Sequence, residues 1–339
     1  MISNQNVTVF GAYGHTGRFV VSELRKRGWT PILSGRNSDK LNDLGDSLPG
    51  LEVRVASTDD PASLDRAISG AAAVINCAGP FVDTATPVIK AALHARIHYL
   101  DVTAEQPAAL AAFEQFADAA QGAGIVIAPA MAFYGGLGDL LATAAMGDWP
   151  AADEIRIAVA LDSWQPTPGT RLTGKRNTAR RFVFSNNQLK FLADPPPTDT
   201  WDFPLPFATQ DVIGLPFSEI ISISSHLEAS EIHSYINLVP LRDVRDPETP
   251  APVAADKSGR SAQKFLMDIV IRRESEKRRA TANGRDIYAI TAPIVVEAME
   301  RILGGRFKRI GVASAGEIFD ARDFLESLSP EHLSFEIQW

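Results

Sequence analysis

Short apolar runs alternate with amphipathic stretches over the first 148 residues of the chain. The apolar runs predict six strands, at Val7–Phe10, Thr30–Ser34, Glu52–Ala56, Ala73–Asn76, His98–Asp101 and Ile125–Ala128. The stretches between them predict five helices, at His15–Arg27, Lys40–Leu48, Pro61–Ile68, Ala85–Ala95 and Pro107–Gly122. Strands and helices that alternate at this spacing form βαβ units. We therefore predict an α/β fold whose first domain, residues 1–150, is a Rossmann-type doubly wound parallel sheet.

The pattern changes after Trp149–Pro150, where apolar and polar residues alternate one by one. Strand-like runs lie at Glu154–Leu161, Arg181–Phe184, Gln188–Leu192, Glu231–Leu238, Phe265–Arg272 and Lys277–Ala282. Turns separate most of these runs, which predicts an α+β second domain, residues 151–285, with a mainly antiparallel sheet. Two proline-rich connections, Asp194–Pro206 and Pro240–Pro252, interrupt it. The first carries Trp201 and Phe203, with Phe207 directly after it, and is interpreted as a packed surface loop, a lid or an oligomer arm.

The last part of the chain, residues 286–339, is predicted to pack back onto the first domain. Asp286–Leu303 predicts a long helix that glycines end, and Pro293 should kink it or delay its start. A short helix near Ala321–Leu328 and a final strand follow. The apolar stretch Ile125–Met146 is broken by a proline and a glycine cluster, so we expect a strand, a loop and a buried helix there rather than a membrane span.

Composition restricts the class of protein. The 41 acidic and 33 basic residues leave a net charge of −8, which disfavours nucleic acid as a partner. The one arginine-rich run, Arg272–Arg279, is diluted by two glutamates and is interpreted as a solvated strand face or turn. A single cysteine excludes an internal disulfide and suits a reducing compartment. With no charged-then-apolar leader at its start, the chain is expected to be cytoplasmic.

The first candidate site is the turn after the first strand. Gly11, Gly14 and Gly17 recur at a spacing of three between a predicted strand and a predicted helix. Such a turn lets the backbone approach a pyrophosphate at the helix N-terminus, with the intervening residues Ala12, Tyr13, His15 and Thr16 beside it. A glycine-rich turn with a purely structural role is the alternative.

The end of the second strand indicates which dinucleotide would bind. Sites for NAD place an acidic residue here for the ribose 2′-hydroxyl, whereas this strand ends in Ser34, Gly35, Arg36 and Asn37. Arg36 can pair with a 2′-phosphate, and Ser34 and Asn37 can add neutral hydrogen bonds. NADP(H) is therefore favoured over NAD(H), the alternative being an exposed arginine at a helix start.

The fourth strand ends in a third candidate segment, Cys77, Ala78, Gly79 and Pro80. Ligands of open α/β sheets lie beyond such strand ends, and the small residues would let the nicotinamide-ribose half lie against the backbone. Cys77 is better explained as a small buried residue than as a nucleophile.

Several motifs together resemble those of the saccharopine dehydrogenase-like oxidoreductases, a family that includes saccharopine reductases and trans-acting enoyl reductases. The motifs are GAYGHTGR, SGRN, NCAGPF, YLDVTAEQ and PAMAFYGGLGDLLA, with weaker likeness in GRDIYAITAPIVVEAM and GEIFDARDFL. The resemblance covers both ends of the chain and leaves the middle unmatched. It implies a Rossmann domain and a second domain whose sheet covers the nicotinamide.

The sequence departs from that family's commonest pattern at three positions. Tyr13 and His15 stand where threonine and an aromatic residue are usual, which a turn that binds through its backbone should tolerate. Ser57 stands where an acidic residue often ends the third strand, and it is kept as a candidate contact on the adenine side.

Two enzyme classes that share such a glycine turn are excluded. Short-chain dehydrogenases need Tyr-x-x-x-Lys, but the residues four positions after the five tyrosines are Gly17, Thr103, Gly138, Val239 and Ala292. Semialdehyde and acyl-phosphate reductases need a cysteine in the second half of the chain, which this sequence lacks. Scattered histidines give no metal motif.

We therefore predict an NADP(H)-dependent oxidoreductase that transfers hydride to or from an imine, enone or carbonyl group of a small-molecule substrate. The alternative is a non-catalytic NADP(H)-binding sensor or scaffold. Five residues could supply a proton and none is assigned: Asp101, Thr103, Glu105, Tyr134 and Asp139. Trp164, Trp201, Phe203 and Phe207 suit an apolar pocket, a core or a dimer contact. The proline-rich arm and the antiparallel sheet are compatible with a homodimer.

Overall fold

The first of two sheets in the computed structural model, which describes residues 5–339, has seven parallel strands. Six come from the first domain: β1 (Asn6–Phe10), β2 (Thr30–Gly35), β3 (Val53–Val55), β4 (Ala73–Asn76), β5 (His98–Asp101) and β6 (Val126–Ala128). The seventh, β15 (Gly311–Val312), comes from near the end of the chain. Their order is β15-β6-β5-β4-β1-β2-β3, which confirms the predicted doubly wound sheet.

Helices cover both faces of this sheet. They are α1 (His15–Lys26), α2 (Ser38–Ser47), α3 (Pro61–Ile68), α4 (Phe81–Ala95), α5 (Gln106–Ala123) and, after a π-helical turn at Phe133–Leu137, α6 (Gly138–Met146). Successive strand residues point to opposite faces, so Val9 packs with α1 and α2 while Phe10 packs with α3 and α4. No helix in the described residues 5–339 is long and apolar enough to cross a membrane.

The second sheet is mixed and mostly antiparallel. Its elements up to the C-terminal segment are β7 (Ala152–Leu161), α7 (Pro168–Arg176), β8 (Phe182–Ser185), β9 (Leu189–Phe191), β10 (Thr198–Asp202), β11 (Thr209–Gly214), α8 (Glu219–Ser224), β12 (Ala229–Asn237), α9 (Val239–Arg245), β13 (Lys264–Arg273) and β14 (Glu276–Arg285). The strand order is β10-β11-β12-β7-β13-β14, then a C-terminal strand, and β8 pairs with β12 and β9. Only β7 and β12 run parallel within the described pairs.

The first proline-rich connection is not a plain loop, because it contains β10 and packs on its own sheet. Trp201 donates a hydrogen bond from Nε1 to Asp268 Oδ2 at 2.8 Å, and Trp201 and Phe203 are both buried. Asp268 also accepts from the Arg279 guanidinium. These contacts hold the segment on the face of the second sheet that is formed by Ala158, Leu266 and their neighbours.

The C-terminal segment consists of α10 (Thr291–Leu303), β15, α11 (Ala315–Ile318), α12 (Ala321–Leu328) and β16 (Leu333–Gln338). Helix α10 begins two residues before Pro293, where proline is tolerated in a helix. It packs on α1 of the first domain, and Arg27 donates to Glu297 and Glu300 across that contact at 2.7 Å. Strand β16 pairs instead with β14, so the segment joins both sheets.

Candidate functional site

The turn after β1 has no room for side chains at two of its three glycines. Gly11 has a φ of +88°, and a Cβ there would lie 2.8 Å from the Ala78 nitrogen. A Cβ at Gly17 would lie 2.2 Å from the Gly11 carbonyl oxygen, and one at Gly14 would lie 3.1 Å from the same atom. The glycines therefore let α1 begin directly against the turn, and let the turn lie against the end of β4.

The first turn of α1 presents N–H groups that have no acceptor. Gly14 is the N-cap residue and has no side chain to accept a hydrogen bond. Within residues 5–339, the N–H groups of His15, Thr16 and Gly17 are unpaired, and the N–H of Arg18 is the first that bonds, to the Gly14 carbonyl at 3.0 Å. Unpaired N–H groups and the helix dipole favour an anion, so this end of α1 suits a pyrophosphate.

His15 contributes a neutral ring to the same turn. The ring lies edge-on to Phe19 and to Tyr288, with centroids 5.3 and 5.4 Å away. Burial lowers the pKa of His15, and the charge of Asp286 only partly opposes this effect. The Nε2 atom is buried and has no hydrogen-bond partner among the described residues. A buried ring nitrogen without a partner beside free N–H groups indicates a place for a ligand.

Two cations lie at the end of β2. Arg36 is exposed and forms no ion pair or hydrogen bond with any described residue. Lys40, which the sequence analysis did not single out, has its Nζ 5.9 Å from the centroid of the Tyr13 ring. The Tyr13 ring covers the end of β2, since a Cβ at Gly35 would lie 2.8 Å from it. This arrangement fits a dinucleotide with a 2′-phosphate, and Lys40 could have been found from its position four residues after Arg36.

The structure does not support the predicted hydrogen bond between Ser34 and a 2′-phosphate. Its hydroxyl is fully buried and donates to the Arg54 carbonyl at 2.8 Å, so it does not face a phosphate. The Ser34 carbonyl instead accepts from the N–H groups of Gly11 and Ala12, at 2.8 and 3.1 Å, and thereby shapes the glycine turn. Asn37 is exposed, and its Oδ1 caps α2 by accepting from the Lys40 N–H, which leaves the amide nitrogen for other partners.

Ser57 lies after β3 and takes part in the local turn, where its Oγ accepts from the Asp59 N–H at 3.3 Å. Its own N–H donates to Ser63 Oγ at 3.0 Å. The side chain is half-buried, so Ser57 stays a predicted contact on the adenine side.

The loop after β4 lies beneath α7 of the second domain. Gly79 is exposed, and a Cβ there would lie 3.3 Å from Thr173 Oγ1 of α7. Arg176 at the end of α7 also pairs with Asp83 in α4 at 2.9 Å. Pro80 is buried as the N-cap residue of α4. Helix α7 therefore covers the strand end at which the nicotinamide-ribose half is predicted.

Cys77 is half-buried at the end of β4, and Ala78 follows it. Burial raises the pKa of the Cys77 thiol, and the charge of Asp101 raises it further. Because the thiolate is the nucleophilic form, this environment makes Cys77 unreactive, in agreement with its interpretation as a packing residue.

Four of the five proton-donor candidates are committed to structural hydrogen bonds. Asp101 accepts from Tyr99 Oη at 2.9 Å and from the N–H groups of Thr103 and Ala130 at 3.0 and 2.9 Å. Burial nevertheless raises the pKa of Asp101. Thr103 Oγ1 accepts from the Glu105 N–H at 3.0 Å. These two residues fix the loop after β5.

Glu105 and Asp139 are the other two proton-donor candidates that form structural hydrogen bonds. Glu105 accepts from the N–H groups of Phe81 and Val82 at 2.7 and 3.2 Å, and so caps α4, although burial raises its pKa. Asp139 Oδ1 lies 2.6 Å from His226 Nε2, and its Oδ2 accepts from the Gly316 N–H at 2.7 Å. Both carboxylates hold elements together.

Tyr134 is different, because its hydroxyl is buried and has no partner in the described part of the chain. Burial raises its pKa well above the usual value, with Tyr288 and Glu219 adding to the effect and Arg181 opposing it. The sequence analysis did not identify Glu219 and Arg181 as site residues. Each lies in an apolar or strand-like stretch, and only the tertiary fold brings it to Tyr134. The Trp164 ring lies 6.4 Å from the Tyr134 ring, whereas Trp201, Phe203 and Phe207 pack on another face of the second sheet.

Residues 5–339 contain no group of three or more histidine, cysteine or acidic side chains that could hold a metal ion.

Comparison with known proteins finds a family whose model resembles the first domain. Residues 7–127, from β1 to β6, match the saccharopine dehydrogenase NADP-binding domain. Saccharopine dehydrogenase-like oxidoreductases from Bos taurus and Homo sapiens are each 32% identical over 118 residues, which are 30% of this chain and 28% of each relative. An Arabidopsis thaliana protein described as a "Probable mitochondrial saccharopine dehydrogenase-like oxidoreductase" is 30% identical over 115 residues. The match thus spans little more than a quarter of these relatives.

A solved structure extends the likeness to the whole chain. Apo saccharopine dehydrogenase (L-Glu forming) from Saccharomyces cerevisiae superposes with a TM-score of 0.69 over 99% of this chain and 100% of that chain. The two sequences are 11% identical, so this similarity shows the fold alone.

Proposed function

We propose that the protein is an NADP(H)-dependent oxidoreductase, because residues 7–127 match the saccharopine dehydrogenase NADP-binding domain. Its reaction is hydride transfer to or from an imine, enone or carbonyl group of a small-molecule substrate. When bound, the cofactor supplies the hydride, and the protein orients the substrate and handles one proton.

The observation that carries the proposal is the open first turn of α1. The unpaired N–H groups of His15, Thr16 and Gly17 bind the pyrophosphate, with Gly11 and Gly14 admitting it to the backbone. His15 Nε2 offers one further hydrogen bond. The other residues of the proposed cofactor site are Ala12, Tyr13, Arg36, Asn37, Lys40, Ser57, Cys77, Ala78, Gly79 and Pro80.

Arg36 carries the proposed preference for NADPH over NADH. The exposed Arg36 guanidinium has no partner among residues 5–339, so it breaks no contact to them when it pairs with a 2′-phosphate, and it gives NADH no comparable contact. Lys40, whose Nζ lies 5.9 Å from the centroid of the Tyr13 ring, adds a second positive charge four residues after Arg36.

The second domain supports an enzyme more than a sensor. Helix α7 lies over Gly79 and places Thr173 beside the end of β4, where the reacting end of the cofactor is proposed. A protein that only senses NADP(H) needs no such cover, and the matched relatives carry the name oxidoreductase.

Deuteride transfer tests the proposal directly. The protein is incubated with NADPH deuterated at C4 of the nicotinamide and with a panel of planar 2-oxo acids, enones and cyclic imines. We expect deuterium at the reduced carbon of one product, measured by mass spectrometry. If NADPH binds but no compound in the panel gains deuterium, the oxidoreductase proposal loses to the sensor alternative.

A homodimer and a cytoplasmic location are further parts of this proposal. The β8–β9 hairpin exposes Phe191 and the first proline-rich connection exposes Leu205, which suits contact between two copies. Sedimentation equilibrium at micromolar concentration should give twice the mass of the chain, and a monomer at that concentration would remove the dimer from the proposal.

A further inference from the structure

Two buried polar atoms without a partner among the described residues belong to neighbouring side chains, Tyr134 and Glu219. Tyr134 is 7% exposed and Glu219 is 1% exposed, and neither Tyr134 Oη nor Glu219 Oε2 has a hydrogen-bond partner in residues 5–339. The other carboxyl oxygen of Glu219 accepts from the Phe217 N–H at 2.9 Å. Leaving a buried polar group unpaired is unfavourable, because the group loses its hydrogen bonds to water and gains none. Two such groups in one place indicate a site whose partner comes from outside the chain.

Aromatic rings surround these groups. The Tyr134 ring stacks on Phe217 with centroids 4.1 Å apart, and Trp164 lies 6.4 Å from the first and 6.3 Å from the second. Trp164 donates from Nε1 to Tyr288 Oη at 2.9 Å. Flat, rigid walls of this kind favour a planar apolar ligand.

A cation completes the cluster. The Arg181 guanidinium lies 4.6 Å from the centroid of the Phe217 ring and donates to the Pro216 carbonyl at 2.7 Å. It forms no ion pair with any described carboxylate. Burial lowers the pKa of Arg181, which Glu219 and Tyr134 oppose. A half-buried guanidinium that forms no direct ion pair within residues 5–339 favours an anionic group on a ligand.

The cluster lies at the carboxyl ends of the parallel strands. Tyr288 contacts the His15 ring at the end of β1, and Ser218, next to Glu219, donates from Oγ to the Thr103 carbonyl after β5 at 3.0 Å. Strands β1 and β4 are where the strand order of the first sheet reverses, and ligands of such sheets bind beyond that point. Tyr134 is thus placed near the reacting end of the proposed cofactor site.

Helix α7 is the element that must move to admit a substrate. None of its nine residues is buried. Thr170 Oγ1 bonds Tyr288 Oη at 2.9 Å, Arg171 donates to the carbonyls of Asp246 and Thr249, and Arg176 pairs with Asp83. A helix held mainly by polar contacts at its surface can open at modest cost.

We propose that Tyr134, Glu219 and Arg181 form the substrate site, for a planar carbonyl compound that bears a carboxylate, with Tyr134 donating the proton to the carbonyl oxygen. This inference rests on the proposed oxidoreductase function and names its substrate class. Arg181 pairs with the carboxylate, and Tyr134 Oη donates a hydrogen bond to the carbonyl.

The proton balance follows from these positions. The hydride brings both electrons of the new C–H bond, and the electron pair of the C=O π bond moves to oxygen. That oxygen takes the proton of Tyr134 Oη, so the phenolic O–H bond breaks and the alcohol O–H bond forms. The phenolate is reprotonated from the Glu219 carboxylic acid, which regains its proton from water. Burial raises the pKa of Glu219, which favours the protonated form that this role needs.

Ligand binding tests the site without relying on turnover. Benzoylformate, a planar aromatic 2-oxo acid, is titrated calorimetrically into the full chain saturated with NADP⁺. Loss of one hydrogen bond or charge pair costs about 1.4 kcal/mol or more, so Tyr134→Phe and Arg181→Met should each bind benzoylformate at least tenfold more weakly than the wild type. Tyr235→Phe and Arg180→Met, which make the same changes away from the cluster, should bind within twofold of the wild type.

The outcomes separate this inference from the proposed function. If NADP⁺ does not bind the wild type, the proposed function fails and the inference falls with it. If NADP⁺ binds but benzoylformate does not, or binds equally to Tyr134→Phe, the inference alone is overturned. If Arg181→Met does not fold, Arg181→Lys replaces it in the test. This variant keeps the positive charge, so the inference requires it to bind benzoylformate more tightly than Tyr134→Phe does. With benzoylformate as substrate, Tyr134→Phe should lower kcat about 100-fold or more and change KM far less.

Discussion

The Cβ position of Gly17 lies 2.2 Å from the carbonyl oxygen of Gly11. No real Cβ contact is that short, so any side chain at position 17 must displace backbone on one side of the turn. The displaced backbone is the segment that exposes the free N–H groups of α1. Stability and cofactor binding are therefore linked at this one position.

Gly17→Ala should lower the free energy of unfolding by about 1–3 kcal/mol, because the added methyl group overpacks rigid backbone. It should also weaken NADPH binding. Gly122→Ala is the matched control: a Cβ at Gly122 meets open space in α5, and alanine there should stabilise the helix by about 0.5–1 kcal/mol. Denaturant unfolding measures both changes. An alanine at position 17 that leaves stability unaltered would contradict the backbone contact.

Glu219 should destabilise the folded protein at neutral pH. Burial raises its pKa from the ordinary value of 4.5, so its contribution is most favourable below that pH and is lost as the pH rises through the folded-state value. Glu219→Gln cannot ionise, so it should match the wild type near pH 4 and be more stable at pH 8. Each tenfold change in acid dissociation constant corresponds to about 1.4 kcal/mol.

The measurement is the unfolding free energy of both proteins across that pH range. Glu114→Gln, on an exposed part of α5, should follow the wild type throughout. A stability gain for Glu219→Gln that shrank with rising pH would refute the argument.

The His226–Asp139 ion pair predicts a loss of stability in the same direction, as the pH rises, but from a favourable interaction between two charges. Burial lowers the pKa of His226, but the carboxylate of Asp139 outweighs burial and the net pKa lies above 6.5. The stabilisation is therefore fully present below pH 6.5 and is lost as the pH rises through the folded-state pKa. His226→Gln should cost about 3–5 kcal/mol at pH 6, since it leaves a buried carboxylate unpaired, and less at pH 9.

Thermal melts at the two pH values check this expectation. His94→Gln, which alters an exposed histidine paired with Asp65, should change stability by less than about 1 kcal/mol at either pH. An equal loss for His226→Gln at both pH values would show that the charge of His226 does not matter.

The sequence predicted most of the fold because hydrophobic periodicity is a local property. The six strands of the first domain follow from such patterns. Pro293 predicted either a kink in α10 or a later start, and the helix begins at Thr291. Strand β10 was missed because most of its residues are polar and exposed, and its position depends on the contact of Trp201 with Asp268. Strand β15 has two residues, too few for any periodicity.

The candidate site also contains residues that the local sequence predicts and residues whose role depends on the tertiary fold. The glycine turn and Arg36 could be predicted, because a turn and a strand end are fixed by neighbouring residues. Which of the five proton-donor candidates is free could not be predicted, since only the tertiary fold gives Asp101 hydrogen-bond partners and leaves the Tyr134 hydroxyl without one among the described residues. The same holds for Ser34, whose hydroxyl is used by a carbonyl on the adjacent strand.

Titration of NADPH and NADH against the wild type and Arg36→Ala tests the central claim most directly, with nicotinamide fluorescence as the signal. Loss of a charge-assisted contact to the 2′-phosphate is worth about 1.5–3 kcal/mol, so Arg36→Ala should bind NADPH about 10- to 100-fold more weakly. Its affinity for NADH should stay within twofold of the wild type. Equal NADPH affinity in the two proteins, or an equal loss for both nucleotides, would contradict the assignment of Arg36 to the 2′-phosphate.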